Sequence, residues 1–292
     1  MDVLKTEIAS KGAQLYSRIY ARAIVIKLIL FIILFSILFL YIRMHNIIPT
    51  YKIEEDLRSI PVLFGAGNFI YSIFTGFIVQ TQWTKWDRLI EANRGEITMM
   101  RQLFIFAHHF PKDEMLELRY HIYNYIKTYI AASEIKDYKL LTTRSRSVDD
   151  ALIKIDDSMF KILKKHPDRS SMATGYLTRA MEYRERKIQL SNQRLPMGIK
   201  LFVYFATFSI IFGSLFMPFN SIGLNYYFTL VIGLLAFGVY LIIEDFDDPY
   251  RPGNFVLSVG LYRNLRDEFK AKLTQRGFNV EKAEAEQKET DY

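Results

Sequence analysis

The apolar residues of the chain gather in four blocks, and the charged residues fill the segments between the blocks. A helix of about 18 apolar residues is long enough to cross the hydrocarbon core of a bilayer, because that core is about 30 Å thick and a helix rises about 1.5 Å per residue. The pattern therefore predicts four membrane-spanning helices. Their expected bounds are Ala23–Tyr41, Pro61–Thr81, Ile199–Met217 and Tyr226–Ile243.

The segment between the second and third blocks, residues 84–198, predicts a helical insert. Its first apolar stripe alternates steps of four and three, which is typical of a helix buried on one side. The stripe is formed by Trp86, Ile90, Asn93, Ile97, Met100, Phe104 and Ala107. It continues back into the second span without a breaker. We therefore expect one long helix that leaves the membrane near Trp83 and Trp86, since tryptophan favours the membrane interface.

Further helices follow in the insert. A second stripe with the same spacing consists of Met115, Leu118, Ile122, Tyr125, Tyr129 and Ala132. A weaker amphipathic stretch covers Val148–Leu163, and Ser170 or Ser171 offers an N-cap for a basic helix that runs to about Arg194. No alternating strand pattern is long enough to predict a sheet. The expected fold class is all-α, with four transmembrane helices and a large cytoplasmic helical insert.

These patterns divide the chain into consecutive segments. We expect an N-terminal cytoplasmic segment, two pairs of spans separated by the insert, a C-terminal cytoplasmic segment and a charged, disordered tail. The corresponding ranges are 1–22, 23–83, 84–198, 199–243, 244–278 and 279–292.

The distribution of charge predicts the orientation of the protein in the membrane. Lysine and arginine precede the first span and enrich the insert and the C-terminal tail, whereas the loop "MPFNSIGLN" carries no charge. The positive-inside rule then places both termini and the insert in the cytoplasm, in an inner or plasma membrane. The same rule explains the net charge of +7 without a nucleic-acid partner. The chain has no cysteine, which excludes disulfides, thiol catalysis and cysteine-ligated zinc.

Few residues of the insert suggest catalysis. His108 and His109 are adjacent, so on a helix they point in different directions and do not face one metal. The chain contains no Walker loop, G-x-S-x-G or H-E-x-x-H motif. We therefore expect no enzyme activity. An enzyme acting on a lipid or a membrane-bound substrate is the weakest alternative.

An acidic cluster follows the fourth block. Its members are Glu244, Asp245, Asp247 and Asp248. Clustered carboxylates can hold a hard cation such as calcium if backbone carbonyls complete the shell, although the spacing is not that of an EF-hand. The favoured interpretation is a membrane exit, where the acids are solvated, Pro249 stops the helix and Tyr250 packs at the interface. The identity of any metal stays open.

The second span carries an apolar row formed by Phe69, Ile73 and Phe77, which fall at i, i+4 and i+8 on one helical face. Polar residues of the same span, such as Asn68 and Gln80, favour protein or water over lipid as neighbours. Ordinary helix packing is one interpretation. The other is a pore helix, in which the row from several subunits forms a constriction that gates by dewetting.

Several short motifs resemble one known family. The stretch "TGFIVQTQWTKW" looks like the second span of bestrophins, which carries Gly-Phe followed eight residues later by Thr-Arg-Trp; here these positions are 76–77 and 84–86. The segments "WDRLIEANRGEITMM", "LRYHIYNYI" and "RERKIQLSNQRLP", and Asp248-Pro249-Tyr250 with Gly253, are similar to a bestrophin-like family of membrane proteins. The resemblance covers roughly residues 20–270.

The resemblance implies a function. Bestrophins are homopentameric ion channels, commonly anion-selective, and their second spans line a central pore with an apolar neck. By position, Phe69, Ile73 and Phe77 match the neck residues. The resemblance thus implies a self-associating chloride-type channel in a lipid bilayer, with small inorganic ions as its cargo. The alternative is a membrane-anchored interaction or sensor protein without ion conduction, which a neck face buried against its own subunit would favour.

The resemblance also bears on cofactors. In animal bestrophins an acidic cluster after the fourth span belongs to a calcium clasp. Here the acidic run lies before Pro249-Tyr250 rather than after it, so the match is partial. We expect no cofactor, with calcium as the alternative.

Overall fold

A computed structural model describes residues 24–45, 60–134, 145–215, 221–249, 255, 257 and 259–283. The chain divides into two compact units. The first comprises residues 1–86 and 194–256, and the second comprises residues 87–193 and 257–292. The regular elements of the described residues are all helical, which confirms the predicted all-α class.

Eight α-helices of more than one turn are described. They are α1 Ile24–Met44, α2 Ile60–Phe106, α3 Lys112–Glu134, α4 Arg146–Lys165, α5 Ser170–Asn192, α6 Met197–Leu215, α7 Ile222–Asp247 and α8 Gly260–Gln275. Short 3-10 turns at Ala107–His109 and Pro167–Arg169 follow α2 and α4. Four of the helices, α1, α2, α6 and α7, are long and apolar enough to cross a membrane, as predicted.

The helix bounds differ from the sequence prediction at the fourth span. The predicted range was Tyr226–Ile243, but α7 begins at Ile222, where the Ser221 side chain accepts a hydrogen bond from the Leu224 amide. The helix also continues through the acidic cluster to Asp247. The last predicted residues of the third span, 216 and 217, lie outside the described residues.

The first unit is built around the packing of α6 on α7, with α2 beside them. Residues 60–86 of α2 bury Tyr71, Thr75, Ile78 and Gln82, which recur at steps of four, three and four on one face. Two small apolar clusters join the three helices. They contain Ile78, Leu195, Val203 and Ile243 in one cluster, and Tyr71, Ile210 and Ala236 in the other.

The core of the second unit forms around α3, which packs against α4 and α8. All six residues of the second predicted stripe are buried, as expected from their spacing. Four residues of the first predicted stripe are buried, and the other three are half-buried. The buried ones are Asn93, Met100, Phe104 and Ala107. Leu89, Glu96 and Leu103 are buried beside them. The α2 helix also approaches α5 closely at Gly95. A Cβ atom, which glycine lacks, would lie 2.6 Å from the Tyr183 ring at this position.

The C-terminal segment contains a helix, α8, that the sequence analysis did not predict. Helix α8 buries Tyr262, Leu265, Phe269 and Leu273 in the second unit, and the Phe269 ring stacks on Phe104 at 3.9 Å. Residues 280–283, at the start of the segment predicted to be disordered, form a helical turn, and residues 284–292 lie outside the described residues. The Asn279 side chain caps this turn by accepting a hydrogen bond from the Lys282 amide at 3.0 Å.

Candidate functional site

The predicted neck residues lie together on one face of α2, and we call Phe69, Ile73 and Phe77 the neck row. Their exposed fractions are 67%, 45% and 70%. In the described part of the chain, no other helix covers the row. The three side chains are therefore not buried against the described helices of their own chain.

The opposite face of α2 is held by a hydrogen-bonded tyrosine. Tyr71 is 8% exposed, and its hydroxyl lies 2.9 Å from the Thr207 hydroxyl on α6. The same hydroxyl donates to the Ala236 carbonyl on α7 at 3.3 Å. Sequence reasoning did not single out Tyr71. The signal in the sequence was the Tyr71 hydroxyl itself, a polar group two residues from both Phe69 and Ile73 and therefore on the opposite face of the helix.

Aromatic rings surround the point where α2 was predicted to leave the membrane. The Trp83 ring meets the edges of Phe246 and Phe255 at 5.7 and 6.1 Å, and Trp86 meets Phe255 at 5.9 Å. Phe246 and Phe255 stack on each other at 3.8 Å. These contacts place both tryptophans beside the end of α7. Tyr250, the third predicted interface residue, lies outside the described residues, and the interface role stays a prediction.

The acidic cluster binds donors of the protein itself. One oxygen of Asp247, which is 7% exposed, accepts a hydrogen bond from the Leu195 amide at 2.6 Å. Its other oxygen pairs with the Lys200 ammonium at 2.5 Å. The Arg194 guanidinium donates to the Asp247 carbonyl at 2.7 Å and pairs with Asp248 at 2.9 Å. Asp247 therefore joins the end of α7 to the start of α6.

The other two acids of the cluster also have partners within the protein. Asp245 accepts a hydrogen bond from the Phe255 amide at 3.3 Å, and Glu244 also has an interaction partner. Among the described residues, no group of three or more histidine or carboxylate side chains is arranged to hold a metal ion. Cation binding at this cluster stays a prediction, and the observed contacts do not favour it.

A buried ion pair lies at the centre of the second unit, and sequence reasoning missed it. The Lys187 ammonium on α5 lies 2.5 Å from the Glu96 carboxylate on α2, and the two residues are 2% and 0% exposed. Lys187 also donates to the Tyr262 hydroxyl at 2.8 Å, and Tyr125 donates to Glu96 at 2.5 Å. The pair thus connects α2, α3, α5 and α8.

The chemistry around this pair is consistent with a structural role. Burial raises the pKa of the Tyr125 and Tyr262 hydroxyls well above the ordinary value, and the charge of Glu96 raises both pKa values further. Both hydroxyls therefore stay protonated and act as hydrogen-bonding groups rather than as bases. A second, less buried pair joins Arg184 to Asp149 at 2.8 Å.

The histidines do not assemble into a site. His108 and His109 are both exposed in the 3-10 turn after α2, with ring centroids 6.4 Å apart. His121 lies 3.8 Å from Glu117, and His166 lies 3.2 Å from Glu114. These are separate pairs on the second unit, so they provide no shared metal or catalytic centre in the described part of the insert.

Comparison with known proteins then identifies the family. Residues 30–258 match the family model of the Bestrophin-like domain. The chain belongs to the bestrophin-like family. No curated protein sequence matches this bestrophin-like chain.

Solved structures show the same fold. Crystal structures of point variants of a bacterial bestrophin homologue from Klebsiella pneumoniae resemble the chain. One variant has 13% sequence identity and a TM-score of 0.63, and the alignment covers 88% of this chain and 99% of the homologue. Another has 9% identity and a TM-score of 0.65, with 84% and 96% coverage. This bestrophin-like protein therefore has the bestrophin fold, with four candidate membrane helices.

Proposed function

We propose that this bestrophin-like protein is a homopentameric ion channel that conducts anions such as chloride through a neck formed by the neck row. The observation that carries the proposal is the division of α2 into two faces. Tyr71, Thr75 and Ile78 are buried in the subunit's own core, while the neck row is exposed. Exposed apolar rings on one helix can meet their copies at a symmetry axis and form a constriction that gates by dewetting.

Polar residues beside the neck row favour water or protein over lipid as its neighbour. Ser72, Gln80 and Thr81 are exposed on α2 within or next to the predicted span. An exposed amide such as that of Gln80 is costly in hydrocarbon, because no water is present there to hydrogen-bond it. The five-fold assembly is taken from the family resemblance. It is supported by an exposed α2 face that no described helix of the same chain covers.

The anion preference rests on charge. The net charge is +7, and lysine and arginine are concentrated in the segments assigned to the cytoplasm. A vestibule with that excess would concentrate anions near the neck. We place the channel in an inner or plasma membrane with both termini cytoplasmic, following the positive-inside rule.

Calcium is not required by this proposal. The Lys200 ammonium and the Leu195 amide already bind the two carboxylate oxygens of Asp247. The Lys200 ammonium is an internal cation that already supplies a positive charge at this carboxylate. The acidic cluster then acts as a fixed joint between α6 and α7.

Ion flux into proteoliposomes tests the proposal. Purified protein is reconstituted, and chloride and sodium gradients are compared. Replacing Phe69, Ile73 and Phe77 together with alanine should widen the neck and raise the flux of chloride more than that of sodium. A matched control replaces three exposed aromatic residues of α6 with alanine. They are Phe205, Phe208 and Phe212.

The outcomes separate the two functional interpretations. Raised flux in the α2 variant alone supports a neck at this row. Unchanged flux in a folded α2 variant, or an equal rise in the α6 control, would place the conducting path elsewhere. A folded oligomer that passes neither ion, including after the alanine changes, would support the membrane-anchored interaction protein instead.

A further inference from the structure

We infer that Tyr71 is a positioning residue for the neck, and that its hydroxyl fixes the rotation of α2 at which the neck row points out of the subunit. This inference rests on the proposed function of α2. Tyr71 lies two residues after Phe69 and two before Ile73, and positions two apart on a helix differ by about 200°. Tyr71 therefore points away from the row, and its burial agrees with this direction.

The hydrogen bonds of Tyr71 reach two other helices. Its hydroxyl donates its proton to the Ala236 carbonyl of α7 at 3.3 Å, which leaves its oxygen to accept the proton of the Thr207 hydroxyl of α6 at 2.9 Å. Because the two partners lie on different helices, the two bonds together fix the rotation of α2 about its axis and its position along that axis. Within a membrane no water replaces these partners when the helix turns.

The neighbouring hydroxyls of α2 do not serve this purpose. Ser72, Thr75 and Thr81 donate to the carbonyls of Asn68, Tyr71 and Phe77 in the same helix, at 2.8, 2.7 and 2.8 Å. Such bonds move with the helix when it rotates, so they do not oppose rotation.

The two hydrogen bonds of Tyr71 would affect the gating of the neck. Turning the neck row away from the axis would break both bonds of Tyr71, so these bonds hold the narrow neck. Removing them makes the turned state more accessible. Interhelical hydrogen bonds in membranes have modest average strength, which corresponds to a change of about threefold in a two-state equilibrium.

The chain offers a matched control for the loss of a tyrosine hydroxyl. The Tyr226 hydroxyl lies 2.7 Å from the Ser36 hydroxyl, which joins α7 to α1. This bond also links two candidate membrane helices, but it involves no residue of α2. Tyr71→Phe and Tyr226→Phe therefore each remove a hydroxyl that links two candidate membrane helices, although Tyr226 is only half-buried, and only the former removes a restraint on the neck.

Two measurements test the inference, and one of them does not require conduction. The first is chloride flux in proteoliposomes. The second uses the absence of cysteine from the chain. Ile73→Cys introduces a single thiol, and mild oxidation joins two copies only when their backbones approach within about 7 Å. We expect Tyr71→Phe to raise flux about threefold and to lower the cross-linked fraction by a similar factor, because the row spends less time at the axis. Tyr226→Phe should change neither measurement.

A change on the partner helix makes the test independent of Tyr71 itself. Thr207→Val should change both measurements in the same direction but by less, because the bond from Tyr71 to the Ala236 carbonyl remains. Adding Thr207→Val to Tyr71→Phe should change little further, because the bond between the two side chains is already lost. The inference is overturned if Tyr71→Phe matches the unmodified protein in both measurements, if Tyr226→Phe has the same effect, or if the Thr207 and Tyr71 effects add in full.

The two proposals fail in different ways. An absence of cross-linking through Ile73→Cys in the otherwise unmodified protein would contradict a neck built from this row. Cross-linking that responds to Tyr71→Phe in a protein that passes no ions would contradict the channel but support the positioning role.

Discussion

Breaking the buried ion pair of the second unit is the most direct test of how the insert is held together. Lys187→Met removes the ammonium and leaves the Glu96 carboxylate, which is 0% exposed, without its cation. The same change leaves the Tyr262 hydroxyl without the donor that lies 2.8 Å away. Removing one partner of a buried pair typically costs about 3–5 kcal/mol, because the remaining charge stays desolvated. We expect the insert to lose about that much stability.

A double-mutant cycle separates the charge effect from the loss of side-chain packing. Glu96→Gln keeps an oxygen that accepts from Tyr125 but removes the negative charge. The double variant, Glu96→Gln with Lys187→Met, buries no net charge. Its cost should therefore be smaller than the sum of the two single costs by about 2 kcal/mol or more.

Hydrogen exchange measured by mass spectrometry on the detergent-purified protein is a suitable assay, since it reports on individual helices. The amides of α8 are the best reporters because Tyr262 bonds directly to Lys187. A loss of about 3–5 kcal/mol raises the opening equilibrium by a factor of about 100 to 1,000 or more, provided that exchange follows opening. The control is Arg101→Met, which breaks a pair with Glu268 whose side chains are 51% and 27% exposed. An exposed pair is worth about 1 kcal/mol or less.

Either of two results would contradict a stabilising role for the ion pair between Glu96 and Lys187. The first is an α8 exchange rate in Lys187→Met no higher than that in Arg101→Met. The second is full additivity of the Glu96 and Lys187 changes, since independent costs would mean that the two charges do not compensate each other.

Two further predictions concern single polar residues. Asp247→Asn should lower the unfolding temperature in detergent by a few degrees more than Asp248→Asn, because Asp247 is buried and loses its attraction to Lys200. Calcium chloride should not raise the unfolding temperature of the unmodified protein. A calcium-dependent rise would contradict the interpretation that Lys200 is the internal cation at this site. Burial, followed by the charges of Lys154 and Lys161, outweighs Glu117 and lowers the pKa of His121. Stability from neutral His121 is therefore fully present above its unfolded pKa of about 6.5 and is lost as pH falls through the lower folded value. His121→Gln should make the unfolding temperature fall less steeply between neutral and acidic pH. An unchanged dependence of the unfolding temperature on pH would contradict this prediction.

The membrane helices could be predicted from the sequence because lipid leaves the backbone few alternatives. A spanning segment must satisfy its hydrogen bonds internally, so an apolar run of sufficient length is a helix. The continuity of α2 from Ile60 to Phe106 was also readable, since no proline interrupts the pattern after its first turn. The stripe on α3 was buried in full because regular apolar spacing fixes which face of a helix is covered.

The polar interactions could not be predicted in the same way. Glu96 and Lys187 are 91 positions apart, and no periodicity connects a carboxylate on α2 with an ammonium on α5. Asp247 looked like part of a solvated cluster because its partners, Leu195 just before α6 and Lys200 in its first turn, lie about fifty residues away in the sequence. By contrast, α8 was missed although its signal was present. Its buried residues recur at steps of three, four and four, within a segment that its many charges made look exposed.

The orientation of α2 shows why polar residues carry more information than apolar ones inside a membrane. Lipid and neighbouring helices are both apolar, so the neck row alone does not indicate which of them it faces. A tyrosine hydroxyl does distinguish the two, because it needs hydrogen-bond partners that lipid lacks. Tyr71 finds its partners on α6 and α7, so its face must be the internal one. The neck row is then assigned to the outer face by elimination, and this assignment makes the meeting of rows from several copies a testable expectation.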